Sequence, residues 1–579
     1  MALSSLKFSP KGKGLSKGER RWRGTTITYV ATFLSACLGA MWVHRLTYSD
    51  LTYPWRVLDS DLSSVYSIAQ ALGQSWTRSV NYSLGAPFQS DLSLGFLFED
   101  LHLVFIRILA HLTNNPFLAV NAFYILTFGL SAVSFLFMAC RLGAQRLISV
   151  SLALSYAWLP YHFSRMDVGH VSLAAYYMLP VGVLVLHRLF LYLTNDISHF
   201  LPSGKVKLCL LVLGIILVGS SGSYYGVFFS LLTCSLVFFL FPTSFSLHSL
   251  RRISIFVGVA IGFILAPIVR TFIAQVGGME SLVARSPDES VQFGGSISRL
   301  FIPWGTWLPE TLRPAVSIME YEWNATPLLG AMGVWTVVIL TALAISGRNR
   351  TSGLASRSVT YLFFWSLLFY TAGGLGLVFA YGIDPSFRAW NRFSILILTL
   401  GLMALGLVLS KLRSLVLLTS LILLATAFTS QLLPLSSVGI GPEPDVTSKS
   451  AYMALLEDAT RIQQAVNPGC SILQLPIMLF PEGAPVGEVG NGEHLWLPLL
   501  SQNLRWSYGA PKGTTEGKFW GDFFGASPTL PIEKARELNF CAVVVNFQSN
   551  LNRDEIINVL GQPVFENPTT GNSLFLILR

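Results

Sequence analysis

The chain has 579 residues, of which 52% are hydrophobic and only 12% charged, where soluble domains run at about a quarter charged. Mean hydropathy is +0.56, which excludes a wholly soluble protein. The net charge of +9 does not mark a nucleic-acid partner, because the basic residues are spread over successive loops in the way that cytoplasmic loops collect Lys and Arg.

Residues 1–24 read as a basic cytoplasmic N-terminus, with Lys7, Lys11, Lys13, Lys17, Arg20, Arg21 and Arg23 ahead of the first apolar run. That run, Thr25 to Trp42, is long for a signal-peptide core and lacks a small-residue cleavage site, so it reads as a retained anchor. A span needs about 20 apolar residues, and the pattern predicts about eleven spans. They lie near 25–45, 119–138, 147–161, 172–193, 207–220, 224–241, 253–273, 326–346, 359–380, 393–410 and 414–433.

With the N-terminus inside, alternate loops hold Arg141 and Arg146, Lys205 and Lys207, Arg251 and Arg252, Arg348, Arg350 and Arg357, then Lys411 and Arg413. All fall on the predicted inner side. An odd span count then places the C-terminal tail outside. The stretch Ser220–Gly226 reads either as a tight turn between two helices or as a break inside one helix, and the second reading would flip the tail.

The first outer loop, 46–118, is the polar centre of the 25–433 membrane region. It carries Asp50, Asp59, Asp61, Asp91, Glu99, Asp100 and His102, with Trp55 and Trp76. Within it, Leu62–Leu72 and Leu101–Leu112 have amphipathic helical spacing. Tyr161 to His170 reads as a short outer turn. A further outer loop, 274–325, holds Glu280, Arg285, Asp288, Glu289, Arg299, Glu310, Glu320 and Glu322, and another runs from Asp384 to Arg392. Residues 434–579 turn soluble in composition. Strands are predicted at Ser471–Leu475, Ala542–Phe547 and Leu574–Leu578, and helices near Ser448–Val466, Ile532–Leu538 and Asp554–Leu560. This alternation predicts a small α/β domain. The expected fold is thus an α-helical polytopic membrane protein with a C-terminal α/β soluble extracytoplasmic domain.

Among the six cysteines, Cys37, Cys140, Cys209 and Cys234 sit in or beside spans as small apolar residues. Cys470 and Cys541 each open a strand-like run in the tail. They form either a disulfide, if the tail faces an oxidising compartment, or two buried thiols.

Asp59 and Asp61 are candidate catalytic carboxylates: at a membrane boundary such a group takes a proton from a sugar hydroxyl or holds a divalent ion. The competing reading makes Asp61 the N-cap of the following helix. Asp91, Asp100 and His102 are candidate ligands of a divalent cation, Mg or Mn, although solvated helix ends carry the same residues. Arg388 and Arg392 lie four apart, on one face if helical, and guanidinium forks match phosphate; the competing reading is a structural ion pair. Arg165 and His170 are candidates for the same polar site. Trp76, Arg505, Trp506 and Lys512 are candidate acceptor-binding residues, pairing stacking faces with polar groups as sugar binding requires; the competing reading makes the tail stretch Leu504–Gly513 a packed loop of a small domain. No Gly-rich phosphate loop, nucleophile elbow or metal-type cysteine pair is present in the sequence, which argues against an ATP-driven pump.

The order of these segments resembles the GT-C superfamily of integral membrane glycosyltransferases. It is more closely similar to a bacterial subgroup described as membrane sugar transferases or sugar translocases. The landmarks are Asp61–Trp76, Asn81-Tyr82-Ser83-Leu84-Gly85-Ala86-Pro87-Phe88 and Glu99-Asp100-Leu101-His102. They continue with Leu159–Phe163, Gly169-His170, Arg388–Phe393, Leu473–Pro476 and Leu504–Ala510. The resemblance implies a polyprenyl-phosphate sugar donor and a glycan, lipid or protein acceptor, handled at the outer face of a bacterial inner membrane. It also implies an acid in the first outer loop, matched best by Asp61 and next by Asp59, with the donor phosphate near Arg388 and Arg392. The acids lie beyond Trp55 and Arg56 rather than at the end of the span. A flippase of lipid-linked sugars, and a glycan polymerase or ligase using a lipid pyrophosphate, are the alternatives. A flippase would want ionisable residues inside the spans, and here the charges gather at their ends.

Overall fold

The structure is a computed structural model that describes residues 17–46, 49–55, 61–77, 79–92, 100–240, 247–276, 285–304, 325–346, 353–438, 446–481, 483–490, 492–526 and 532–577. Asp59, Glu99, Arg56, Glu280, Glu310, Glu320, Glu322, Arg348 and Arg350 lie outside these residues.

Each of the eleven expected ranges holds an apolar helix. Among the described residues, six helices are long and apolar enough to cross a membrane on their own. They differ in what they touch: the segment Trp390–Leu409 is 78% buried inside the protein and Pro116–Arg141 is 67% buried, whereas Ser249–Arg270 is only 17% buried. The first two form the centre of the bundle, and the third turns its apolar surface outward, as a lipid-facing helix does. Close packing at the centre depends on small residues. A Cβ on Gly333 would lie 2.5 Å from the Gly401 carbonyl carbon, so the helices Leu328–Ile345 and Ser394–Leu409 touch backbone to backbone.

The stretch around Ser221 is a tight turn. A Cβ on Gly226 would stand 3.3 Å from the Gly219 Cα, and seven residues of continuous helix would separate them by about 10 Å. The helices Lys205–Ser220 and Ser223–Ser235 therefore fold back on each other.

Two expected boundaries shift. The range 147–161 holds a helix only over Arg146–Ala157, and the residues read as an outer turn form a new helix, Pro160–Asp167. Pro160 opens it, where a missing N–H costs nothing. This helix is packed inside, with His162 at 0% and Arg165 at 2% exposure. The range 172–193 becomes a short turn, Val171–Ala174, and a helix that starts only at Leu179.

The two helices expected in the 46–118 segment are Leu62–Gln74 and Asp100–Thr113. The first is buried nearly all round, because it is sandwiched between Asp100–Thr113, Pro116–Arg141 and the tail segment Trp496–Leu500. Val80–Asn81 (β1) and Ser90–Asp91 (β2) pair in a short antiparallel ladder.

The tail carries a mixed five-stranded sheet of Ser471–Leu475 (β3), Arg505–Trp506 (β4), Phe540–Asn546 (β5), Phe565–Glu566 (β6) and Asn572–Leu576 (β7), in the order β4-β3-β5-β7-β6. β3 is parallel to both neighbours, and β7 is antiparallel to β5 and β6. The three expected strands appear within two residues of their predicted starts, as do the helices Val446–Ala465, Ile532–Glu537 and Arg553–Leu560. β4 and the helix Thr515–Ala526 were not expected. Cys470 and Cys541 form a disulfide across the β3–β5 pair, with Cα atoms 5.9 Å apart.

The sheet is tied to the 46–118 segment through the free edge of β4. The Trp506 N–H donates to the Ser83 carbonyl at 2.8 Å, the Ala86 N–H to the Trp506 carbonyl at 2.9 Å, and the Gly85 N–H to the Tyr508 carbonyl at 2.9 Å. An edge strand left open would be a pairing hazard; here the first long loop covers it.

Candidate active site

Asp61 stands immediately before the helix Leu62–Gln74. Its backbone accepts the Val65 N–H at 3.2 Å, but its side chain makes no capping hydrogen bond. A capping aspartate spends its carboxylate on the N–H groups of the first turn; this one does not. Its Oδ2 lies 3.4 Å from His170 Nε2, with the two side chains 41% and 28% exposed. The pair is open to solvent.

Gly169 makes this pairing possible. The helix Pro160–Asp167 ends in Val168, and Gly169 takes the left-handed conformation (φ 83°) that commonly closes a helix. The His170 N–H then donates back to the Arg165 carbonyl at 2.7 Å. A Cβ on Gly169 would stand 2.6 Å from the Leu62 nitrogen and 2.8 Å from the Asp61 nitrogen. Only glycine lets the two backbones meet, and the meeting sets His170 against Asp61.

Behind this pair lies an aromatic wall. Arg165 is 2% exposed, with its guanidinium 4.7 Å from the Tyr161 ring centroid. The hydroxyls of Tyr161 and Tyr225 are 3.4 Å apart, and the Tyr225 hydroxyl donates to the Leu173 carbonyl at 2.5 Å. The adjacent Tyr224 carries Arg392 on its ring, 4.4 Å from the centroid. Consecutive tyrosines at the start of one helix thus connect Arg392 to the Arg165 and His170 side.

Arg388 and Arg392 do not share a helical face. Arg392 lies in the single turn Trp390–Phe393, and Arg388 precedes it outside any helix. Arg388 is held by the Glu289 carboxylate and lies 4.5 Å over the Phe293 ring. Burial alone would raise the Glu289 carboxyl; the Arg388 hydrogen bond, the Ser286 N–H and the Arg388 and Arg285 charges outweigh it and hold the carboxyl below its ordinary value.

The acidic cluster is dispersed. Asp91 is exposed at the end of β2, and Asp100 is paired with Arg270. His102 is fully buried, with its Nδ1 3.2 Å from the Tyr177 hydroxyl, and burial pushes its pKa down to about 4. Among the described residues, no three His, Cys, Asp or Glu side chains converge as metal ligands. Asp91, Asp100 and His102 therefore do not fit a divalent cation as a set.

The residues read as sugar platforms divide. Trp76 is 60% exposed and stacks on His111, with centroids 3.8 Å apart and planes at 9°. Trp506 is 0% exposed, with its indole N–H donating to Ser501 Oγ at 3.0 Å. Arg505 donates to the carbonyls of Pro87 at 2.9 Å and Phe88 at 2.7 Å. Arg505 and Trp506 are thus the joint between tail and loop. Lys512 is half-buried, and its N–H donates to the Phe480 carbonyl at 2.6 Å. In the sequence Tyr161 and Glu289 stand only as members of their loops and Tyr224 and Tyr225 only within a turn, with no role attached; a buried tyrosine carries no one-dimensional signal that separates a wall from a core.

No family model and no curated protein matches this chain. Solved structures do. ArnT from Cupriavidus metallidurans, in its apo state, overlays with a TM-score of 0.50 and 11% identity, covering 96% of this chain and 98% of its own. The fold is the GT-C fold. The arabinofuranosyltransferase AftD from Mycobacteria overlays at TM-score 0.48 and 14% identity, covering 98% of this chain, which spans only 40% of AftD's length. The Archaeoglobus fulgidus oligosaccharyltransferase, solved with Zn and sulfate, overlays at 0.47 and 12% identity, covering 89% of this chain and 68% of its own. Like that fold, the chain combines several helices apolar enough to cross a membrane with a C-terminal domain that carries a mixed sheet.

Proposed function

We propose that this GT-C chain is an inverting glycosyltransferase that moves a sugar from a polyprenyl phosphate to a hydroxyl of a glycan, lipid or protein. Its site faces the extracytoplasmic side of a bacterial inner membrane. The N-terminus stays in the cytoplasm and the tail lies outside. The basic inner loops support that orientation, and so does the Cys470–Cys541 disulfide, a bond that persists in oxidising compartments.

The observation that carries the reading is the Asp61 carboxylate, uncapped and set 3.4 Å from His170. In the proposed step the acceptor hydroxyl attacks the anomeric carbon and Asp61 takes its proton. The bond from that carbon to the phosphate oxygen breaks, and the lipid phosphate leaves with the electron pair. Displacement from the opposite face inverts the anomeric centre. His170 orients the Asp61 carboxylate. Arg165 and Arg392 stabilise the charge that grows on the departing phosphate, while Arg388, held by Glu289, fixes the loop that carries Arg392.

The test uses membranes containing the protein, a radiolabelled panel of polyprenyl-phosphate sugars and a crude acceptor extract, with Asp61→Asn and Arg392→Ala run beside the parent. Transfer by the parent and its loss in Asp61→Asn supports the reading. Undiminished transfer in Asp61→Asn moves the base to Asp59. No transfer from any donor, with a folded preparation, overturns the class in favour of a flippase or a lipid-pyrophosphate donor.

A further inference from the structure

The tail contains a cavity of about 170 Å³ that the reaction above does not use. It opens at the carboxyl ends of the parallel strands β3 and β5, where α/β sheets characteristically take ligands. Its wall combines Leu455 and Trp496 with the polar groups of Glu493, Asn546, Gln548 and Thr570. The arrangement is graded: Trp496 and Asn546 are buried at 2% and 7% exposure, Glu493 and Thr570 are half-buried, and Gln548 is exposed at the rim.

These groups are held from behind. The buried carboxylate of Asp458 accepts from Thr570 Oγ1 at 2.6 Å, Asn572 Nδ2 at 2.9 Å and Asn567 Nδ2 at 2.7 Å. That network fixes the loop between β6 and β7 against the helix Val446–Ala465. Glu493 Oε1 accepts the Gly490 N–H at 2.9 Å. His494 Nε2 bonds the Pro476 carbonyl at 2.8 Å, which spends the imidazole on the backbone. Pre-fixed polar groups over a partly apolar floor are the mark of a small-ligand site.

The charge decides the ligand class. Among the described residues Glu493 is the charged side chain of the wall, and neither lysine nor arginine lines it. A phosphate, carboxylate or sulfate group would meet the Glu493 carboxylate and no cationic partner among these residues. A ring with several hydroxyls and apolar C–H faces would find both of its requirements met.

The cavity also has a direct structural link to Asp61. The segment that supplies Glu493 and Trp496 packs on the helix that begins beside Asp61: a Cβ on Gly492 would be 2.6 Å from Ser63 Oγ, and the Trp496 and Tyr66 rings are 6.3 Å apart. Tyr452, on the opposite wall's helix, meets Tyr53 at 5.4 Å. We propose that this cavity is an acceptor subsite for a neutral sugar unit, anchoring a glycan acceptor while its reactive end reaches Asp61. The proposal rests on the glycosyltransferase reading for its purpose, but not for its detection.

The experiment is saturation-transfer NMR on the full-length protein in lipid nanodiscs, with methyl glycosides of neutral hexoses and pentoses and with a methyl glucuronide as the anionic probe. At least one neutral glycoside gives a signal, and the glucuronide gives none. Ala451→Phe, which fills the cavity from its helix wall, and Glu493→Gln lower the signal by about fivefold or more, the loss of one or two ligand hydrogen bonds. Gln548→Ala at the exposed rim serves as a further variant should Ala451→Phe not fold. Absence of signal from every neutral glycoside overturns the proposal. So does a signal unchanged in variants that melt like the parent, or one stronger with the glucuronide. Sugar binding at the cavity by a protein that transfers no sugar retains the subsite and removes the glycosyltransferase reading, so the two fail separately.

Discussion

Two acid–histidine sets stand among the candidate residues: Asp61 with the distant Gly169-His170, and Asp100 with the neighbouring His102. In three dimensions they are opposites. Asp61 is 41% exposed and faces His170. Asp100 is paired with Arg270, and His102 points into the protein toward Tyr177. The first pair leaves a carboxylate and an imidazole both open to solvent; in the second the acid sits in an exposed ion pair and the histidine is fully buried. An acid near a histidine is therefore not informative until the partner of each is known, and that partner comes from an element far away in the chain.

Four measurements break or sharpen this contrast. The largest effect falls on Asp61→Asn, which lowers sugar transfer by about 100-fold or more, the usual span for losing a general base. Asp100→Asn in the same radiolabel assay stays near the parent rate, and a comparable loss there would erase the distinction between the two sets.

His494 extends the comparison to a buried imidazole in the tail. Burial pushes its pKa down from 6.5 to about 4, so the unfolded chain binds a proton between these values and the folded chain does not. Stability is thus fully present above pH 6.5 and falls as pH drops toward 4, by about 3 kcal/mol. Denaturant melts from pH 7.5 to 4.5 read this slope, and His494→Gln flattens it. A parent with no slope would show that the imidazole is not buried as described.

Gly169→Ala comes next. The new Cβ meets the Asp61 and Leu62 backbone in a left-handed conformation, so stability drops by about 1–3 kcal/mol, and transfer falls with the displaced Asp61–His170 pair. Differential scanning fluorimetry beside the transfer assay separates the two losses; an alanine with parent-like melting and rate would remove the close approach from the argument. The smallest effect is the stability change in Asp100→Asn, below about 1 kcal/mol, since an exposed ion pair contributes little. A larger shift in its melt would mean that the Arg270 pair is structural.

Much of the architecture was legible in the chain. Apolar runs of spanning length located the membrane helices, because every backbone group in lipid must be satisfied within its own segment. The strands and helices of the tail were found near their ends, because alternation and helical spacing are local signals. Asp61 and His170 were both candidates, and the structure brings them together. Other features were not legible. Tyr161–His170 read as an outer turn, yet Pro160–Asp167 is a buried helix, in which His162 Nε2 lies 2.8 Å from Thr127 Oγ1 and Arg165 lies over the Tyr161 ring of its own helix. Trp506 read as a platform because tryptophan binds sugars, yet residues 83–86 close over its strand. The Arg388–Arg392 spacing read as one helical face, yet Arg388 lies outside the turn Trp390–Phe393 and is paired with Glu289, about a hundred residues earlier.

The sequence by itself determined the class of molecule: a polytopic membrane chain with an α/β tail and its polar residues gathered at the ends of the spans. Hydropathy and periodicity act through the nearest few residues, so one dimension carries them. Which carboxylate stays open, which arginine is neutralised and where the tail keeps a cavity were decided only by tertiary structure. Each depends on a contact between segments tens to hundreds of residues apart: Gly169 against Asp61, Glu289 against Arg388, Asp458 against Thr570. A side chain's chemistry is set by that partner, and the local pattern does not contain it.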